Sequence, residues 1–358
     1  MANAVRALSS LEGRRGPNGG ECERAGRESH LTVFVFLTGA LTSLAASFVL
    51  VTRLERLGER FGAPEAVLGL ITALAADAPE ISTALVALRQ GQHDIGVGVA
   101  LGSNVFNLAA LLGLSSLVAG RIALHRRVVL FEGAVAVWVT LLSIATVAGA
   151  VAPTEALLLT LVVFVPYVVV SAVPPPERHR LPLPRPWRTW LASAVNEEEL
   201  ELLAAIDPPR GRWTDAAIAM IALALVVAAS TAMERSASTL GGHWGVSAIV
   251  TGGVVLAAVT SLPNAVAAVY LASRGRASAT LSEALNSNAL NAIVGLMIPA
   301  VILGVGRQSA GGIVTAGWYA GLTALTLALA YASRGLGRRA GVVIIGVYLI
   351  FVVVVTTL

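Results

Sequence analysis

At 358 residues, with 56% hydrophobic and only 13% charged side chains, the chain has too little polar surface to cover a soluble globule, and it reads as an integral membrane protein. Its net charge of +4 sets 25 arginines, with no lysine, against 21 acids; the arginines fall between apolar stretches, so they are topology signals and not a nucleic-acid footprint. A lone Cys22 excludes an internal disulfide, and five scattered histidines lack the spacing of a zinc site.

Residues 1–30 are polar, rich in Gly, Arg and Glu, and predict a flexible N-terminal tail. Ten apolar stretches long enough for a bilayer follow, near 31–52, 64–88, 95–119, 128–149, 153–173, 214–233, 245–272, 279–304, 312–332 and 340–357. They fall into a first five-helix half, 31–173, and a second, 213–358, joined by the loop 174–212. That loop opens on PPPERHRLPLPRPWR and continues through NEEELELLAAIDPPRGR, which predicts proline-stiffened chain and then a short acidic helix over 187–205. It reads as a connector, with a lipid-contacting or regulatory segment around Trp187 and Trp190 as the alternative.

Loops after the odd-numbered spans hold Arg53, Arg56, Arg60, Arg121, Arg126, Arg127, Arg178, Arg180, Arg185, Arg188, Arg210, Arg212, Arg274, Arg276, Arg334, Arg338 and Arg339. The opposite loops hold Arg89, Arg235 and Arg307, so the positive-inside rule makes the first set cytoplasmic and both termini external, against the five arginines of the tail. The absence of lysine points to a high-GC coding sequence, hence a bacterial plasma membrane.

One stretch occurs twice. Gly69–Asn107 returns, shifted by 184 positions, as Gly253–Asn291, and ten of the forty positions from Gly69 to Leu108 are identical. The agreement falls on residues that apolar drift does not preserve: Pro79 and Pro263, Gly91 and Gly275, then Ser103, Asn104 and Asn107 with Ser287, Asn288 and Asn291. An odd number of crossings separates the copies, so they lie upside down relative to each other. The predicted fold is an all-α polytopic membrane protein of about ten transmembrane helices, two inverted five-helix repeats with broken helices at the midplane.

Asp77, Ala78, Pro79 and Glu80 fall inside the second span. Proline removes a backbone donor and clashes with the preceding turn, so the helix should break just before Pro79, leaving freed carbonyls as oxygen ligands. Intramembrane acids mark ion or proton routes by default. Ser103 and Asn107 share a helical face one turn apart, after Gly102, which allows close helix approach. The second copy supplies Thr260, Ser261 and Asn264 around Pro263, then Ser287 and Asn291. Such hydroxyls and amides can be interhelical glue; two copies in register, one with Asp and Glu, favour coordination of a hard cation such as Ca2+ or Na+ by oxygen ligands.

These residues resemble the alpha-repeats of the cation/calcium antiporter superfamily, whose members include the sodium/calcium exchangers. The family pattern, roughly G-T-S-x-P-E and then G-S-N-x-x-N, is met in part by AADAPE and GSNVFN and by VTSLPN and NSNALN. With the span count, the resemblance covers about 31–358. It implies that Glu80, Ser103, Asn107, Thr260, Ser261, Ser287 and Asn291 line the central site, and that the first and sixth spans slide across the rest. The chain departs from the pattern at Asn264, where the family has its second Glu, and at Ala76 and Asp77, where it has Thr-Ser. One carboxylate has moved between repeats, and the formal charge of the pair is kept.

Glu283, one turn before Ser287, is either a third acid on the pathway or a residue reaching toward Arg274 and Arg276. Glu132, Glu155 and Glu234 lie near predicted span ends, where interface contact is cheap; His93 and Asp94 read as a solvent-facing external turn, and Asp215 as a helix N-terminal acid. The expected function is secondary active antiport of Ca2+ against Na+ or H+ by alternating access, with inorganic cations and the bilayer as partners and no cofactor. A passive cation channel, or a non-transporting sensor or scaffold, is the alternative. No HExxH, GxSxG or phosphate-binding glycine loop is present to suggest an enzyme.

Overall fold

Apolar chain in a bilayer must satisfy its own backbone polar groups, and an α-helix does so within one segment. The structure, a computed structural model, describes residues 19–61, 65–173, 184–186, 190, 211–273 and 277–358. The first half contains α1 (Gly19–Phe61), α2 (Glu65–Ala76), α3 (Ala78–Arg89), α4 (His93–Asn107), α5 (Ser115–Ala119), α6 (Arg126–Val147) and α7 (Pro153–Ala172). The second contains α8 (Trp213–Trp244), α9 (Ala248–Val250), α10 (Ala257–Thr260), α11 (Leu262–Ser273), α12 (Ala277–Leu290), α13 (Ile298–Leu303), α14 (Ala310–Ser333) and α15 (Arg338–Thr356). Among the described residues eight helical stretches are long and apolar enough to cross a membrane, and a ninth, Ala248–Thr260 with Leu262–Val269, is bent by 44°. Its counterpart, α2 with α3, is interrupted at Asp77 and completes two sets of five.

Two boundaries differ from the sequence reading. The first helix begins at Gly19, so residues 19–30 of the expected tail are helical; adding a residue to an existing helix needs only one more bond per residue fixed, and the apolar span behind it supplies the nucleus. Span six does not end at 233, because α8 continues through Glu234 to Trp244. The expected helix at 187–205 and nearly all of the 174–212 loop lie outside the described residues.

Burial separates core from periphery. The third span, His93–Ala119, is 94% buried and the eighth, Thr280–Leu303, 72%, against 22% for Arg338–Thr356. These two core spans carry the repeated Ser and Asn residues. Each continues beyond them as a π-helical stretch, Leu108–Leu114 in one half and Asn291–Met297 in the other, the wide turn that recurs at functional sites. A third such stretch, Thr251–Leu256, packs against α4 with almost no space between backbones: a Cβ on Gly102 would lie 2.3 Å from the Gly253 carbonyl oxygen.

Helices α1 and α8 lie side by side and antiparallel, joined by a Ser43–Ser230 hydroxyl contact of 3.3 Å and by an Arg53–Asp215 ion pair of 2.7 Å at one end. Their outer faces present Phe34, Leu41, Phe48 and Met220, 63 to 71% exposed, as a lipid-facing surface requires. At the arginine-rich face a short antiparallel ribbon ties the halves: β1 (Arg121–Ala123) pairs with β2 (Gly335–Gly337), Ile122 opposite Leu336. Gly335 has φ +135°, and a Cβ there would sit 2.2 Å from the Ile122 carbonyl oxygen, so the ribbon depends on glycine. The loops after the third and ninth spans thus share one side, as their arginines predict.

Candidate functional site

The break in the second span is set by Pro79. Asp77 still donates its N–H to Ala73, and Ile81 to Asp77, at 2.9 and 3.0 Å, but Pro79 has none to give to Ala75. That freed carbonyl accepts from the Ser47 hydroxyl of α1 at 3.2 Å, so it is engaged by a neighbouring helix instead of standing free as a ligand. Downstream of the break Asp77 stands at the N-cap and Glu80 in the first turn of α3, where the helix dipole favours negative charge. Asp77 is 0% exposed and Glu80 1%.

Asn264 reaches both acids from the start of α11. Its amide nitrogen lies 2.6 Å from Asp77 Oδ1, 3.3 Å from Glu80 Oε1 and 3.3 Å from Ser287 Oγ. Ser287 on α12 donates to Asp77 Oδ1 at 2.6 Å, and Asn107 at the end of α4 donates to Ser287 Oγ and Asn288 Oδ1, each at 3.1 Å. Five of the residues picked from the sequence, Asp77, Glu80, Asn107, Asn264 and Ser287, therefore form one buried hydrogen-bonded cluster drawn from both halves. Ser261, at the 44° bend, lies against Glu80. Asn291 is buried with neither amide atom bonded.

Two hydroxyls behave differently from the expectation. Ser103 donates to Val99 O at 2.6 Å and Thr260 to Leu256 O at 2.9 Å, each bonding back to its own preceding turn. They offer the site lone pairs but no free proton. Glu283 is half-buried and close enough to feel the charges of Asp77 and Glu55; Arg274 and Arg276, its alternative partners, lie outside the described residues.

What the arrangement can do follows from the atoms left over. Asp77 Oδ2, Glu80 Oε2, Asn107 Oδ1 and Asn291 Oδ1 are buried without a hydrogen bond. Folded proteins pair most of their buried polar atoms; Ser261 Oγ and Asn291 Nδ2 are unbonded as well, so the left-over atoms of these residues are oxygens apart from that one amide nitrogen. No group of three or more His, Cys, Asp or Glu able to hold a metal occurs among the described residues, so a cation held here would draw on amides and hydroxyls beside the two carboxylates. Such a set suits a hard ion.

Asn104 and Asn288 were legible as repeated positions yet absent from the candidate set. Asn104 Nδ2 donates to Asn288 O at 3.0 Å, and Asn288 Nδ2 returns the bond to Asn104 O at 3.1 Å, across the 184-residue offset of the repeat. The pseudo-twofold axis passes between them, and Asn288 in turn holds Asn107.

Other acids are placed less cheaply than their positions near predicted span ends suggested. Glu132 is 2% exposed and accepts a short bond from Ser282, and Glu234 is 0% exposed; Glu155 does face outward. Asp215 accepts from the Arg212 backbone at 2.6 Å as well as from Arg53. In the turn before the core span, Asp94 is half-buried and accepts from Ser309 N at 3.0 Å, and His93 is half-buried beside it, so that turn is only partly solvent-facing.

With this geometry in place, comparison with known proteins is direct. A chain of Alkalimonas amylolytica named as an antiporter, CaxA, is 29% identical over 280 residues, covering 76% of this chain and 80% of that one. The fold matches that of the H+/Ca2+ exchanger CAX with a TM-score of 0.65 at 13% identity, over 99% of this chain and 89% of that one. It matches the sodium-calcium exchanger NCX_Mj with a TM-score of 0.58 at 18% identity, over 91% and 99%. The family model described as sodium/calcium exchanger protein fits residues 31–173 and again 215–357, two stretches offset by the same 184 positions as the internal repeat. The chain belongs to the sodium/calcium exchanger protein family, as an integral membrane cation/calcium exchanger of two repeats.

Proposed function

We propose that the protein is a secondary active antiporter that moves Ca2+ against Na+ or H+ by alternating access at the Asp77–Glu80 site. One observation carries the reading: two fully buried carboxylates, three residues apart, each keep one oxygen without a hydrogen bond. Two negative charges at such depth are costly unless compensated. A divalent cation neutralises them, and its departure restores the cost unless monovalent cations or protons take its place. The site therefore favours exchange over net flow, which argues against a passive channel. Asn107, Asn264, Asn291, Ser103, Thr260, Ser261 and Ser287 supply further oxygens. Asn264, whose amide nitrogen faces the acids here, would turn about its Cβ–Cγ bond to present Oδ1. Glu283, within range of the Asp77 charge, is read as a third acid on the arginine-rich side. The arginine distribution supports a cytoplasmic ribbon face and external termini, in a bacterial plasma membrane.

Both coupling ions occur among the structural neighbours, in CAX and in NCX_Mj, so the choice for this chain rests on measurement. Calcium-45 uptake into proteoliposomes of purified protein is followed under an outward Na+ gradient, an outward H+ gradient, or neither. The expected result is uptake under one gradient only, abolished by Glu80→Gln and by Asp77→Asn. Uptake without any counter-ion would make the protein a channel, and no uptake from folded protein would end the transport reading.

A further inference from the structure

Away from the central site, one buried carboxylate makes no close hydrogen bond. Glu234 is 0% exposed in the last third of the 32-residue α8, and neither of its oxygens has a hydrogen-bond partner within 3.5 Å. The groups that act on it are the side chain of Gln90, just past the end of α3, and Arg235, which itself points to the exterior. A buried acid inside a transmembrane helix is expensive even with a polar neighbour, and by default it marks an ion path. Glu234 is also the middle rung of a ladder. Ser230, Glu234 and Ser238 recur every fourth residue, so they follow one face of α8. Ser230 meets Ser43 of α1 at the inner end of that face, and Ser238 lines a cavity of about 470 Å3 at the outer end. The cavity opens on the face opposite the ribbon, and its walls include Gln92, His93, Asp94, Thr251 and Arg307. Asp94 already accepts the Ser309 N–H, which leaves Glu234 as the acid without a bond between this cavity and the central cluster.

From Glu80 to Gln90 is ten residues of α3, roughly 15 Å along the helix axis, so an acid near Gln90 stands at the cavity end of the passage to Asp77–Glu80. We infer that Glu234, with the Gln90 side chain, is a relay site for the transported hard cation between the cavity and Asp77–Glu80. The inference rests on the transport reading. It also carries a direction: Glu234 lies toward the cavity face, and the equivalent position in the first repeat is Leu50, 3% exposed in an apolar cluster, so the repeat does not duplicate this station on the other side.

Two measurements test it. In membrane vesicles of both orientations, Glu234→Gln should raise the Ca2+ concentration for half-maximal uptake by about tenfold or more from the cavity side and leave the other side within about twofold. An equal change from both sides, or none, overturns the relay. The second does not depend on transport. Equilibrium dialysis of purified protein with calcium-45 should find weak residual binding in Asp77→Asn/Glu80→Gln, and adding Glu234→Gln should remove it. Residual binding that survives Glu234→Gln, or its absence from the double variant, overturns the relay whether or not the wild type transports.

Discussion

Asn264 is the residue at which this chain departs from the family pattern its repeats resemble, and it stands at the repeat position equivalent to Glu80. Its amide instead bridges Asp77, Glu80 and Ser287, so the second acid has in effect been handed to position 77 in the other repeat. If it is the charge of the pair and not its address that matters, Asp77→Ser should lose most calcium uptake, and Asp77→Ser with Asn264→Glu should recover it to within about tenfold of wild type. Failure of the double variant to recover would mean that the Asp77 geometry itself is required. Residue choice was largely legible because acids beside an intramembrane proline stand out. Hydroxyl direction was not: Ser103 and Thr260 bond their own helices, a local option open to any helical Ser or Thr that spacing does not reveal. Glu234 was misread for a related reason. The apolar stretch ends at 233, whereas the helix continues for eleven further residues to Trp244, with only Glu234, Arg235 and His243 among them as ionisable groups.

Elements supply the second scale, and here backbone contacts decide. Gly102 meets Gly253 so closely that Gly102→Ala must push α4 away from the Thr251–Leu256 turn; overpacking of this kind costs about 1–3 kcal/mol. The variant should melt several degrees lower in detergent, and Gly317→Ala, with open space around it, should not. Ser47 caps the Ala75 carbonyl that Pro79 releases, so Ser47→Ala should cost about 1 kcal/mol, measured in the same melts, and loosen α1 against the broken helix. The breaks themselves were readable, because each copy of the repeat sets its proline among polar residues inside an apolar span, unlike Pro166, which α7 carries without a break. The π-helical stretches were not, since one extra residue per turn leaves no compositional trace. Nor was the ribbon, whose three-residue strands are too short to show alternation.

At the scale of the whole molecule, the reciprocal Asn104–Asn288 bonds make the two halves mutually dependent. Removing either amide leaves one buried carbonyl without its donor, so Asn104→Ala and Asn288→Ala should destabilise by similar amounts, about 1–3 kcal/mol each. Asn288→Ala should also weaken calcium binding more, because Asn288 Oδ1, with Ser287 Oγ, holds Asn107. Matched thermal melts and calcium-45 binding on the two variants check both statements, and unequal melts would show that the axis is not shared evenly. The twofold plan has one more consequence under the alternating-access proposal. Exchanging the conformations of two identical halves would turn an outward-facing molecule into an inward-facing one at no cost in free energy, and the resting orientation would be a coin toss. This chain's halves are not identical: Asp77 answers Ser261, Glu80 answers Asn264, Leu50 answers Glu234 and Val99 answers Glu283. Whatever preference it has for facing one compartment is encoded in such mismatches, and substitutions that make the halves more alike should bring the two orientations toward equal occupancy.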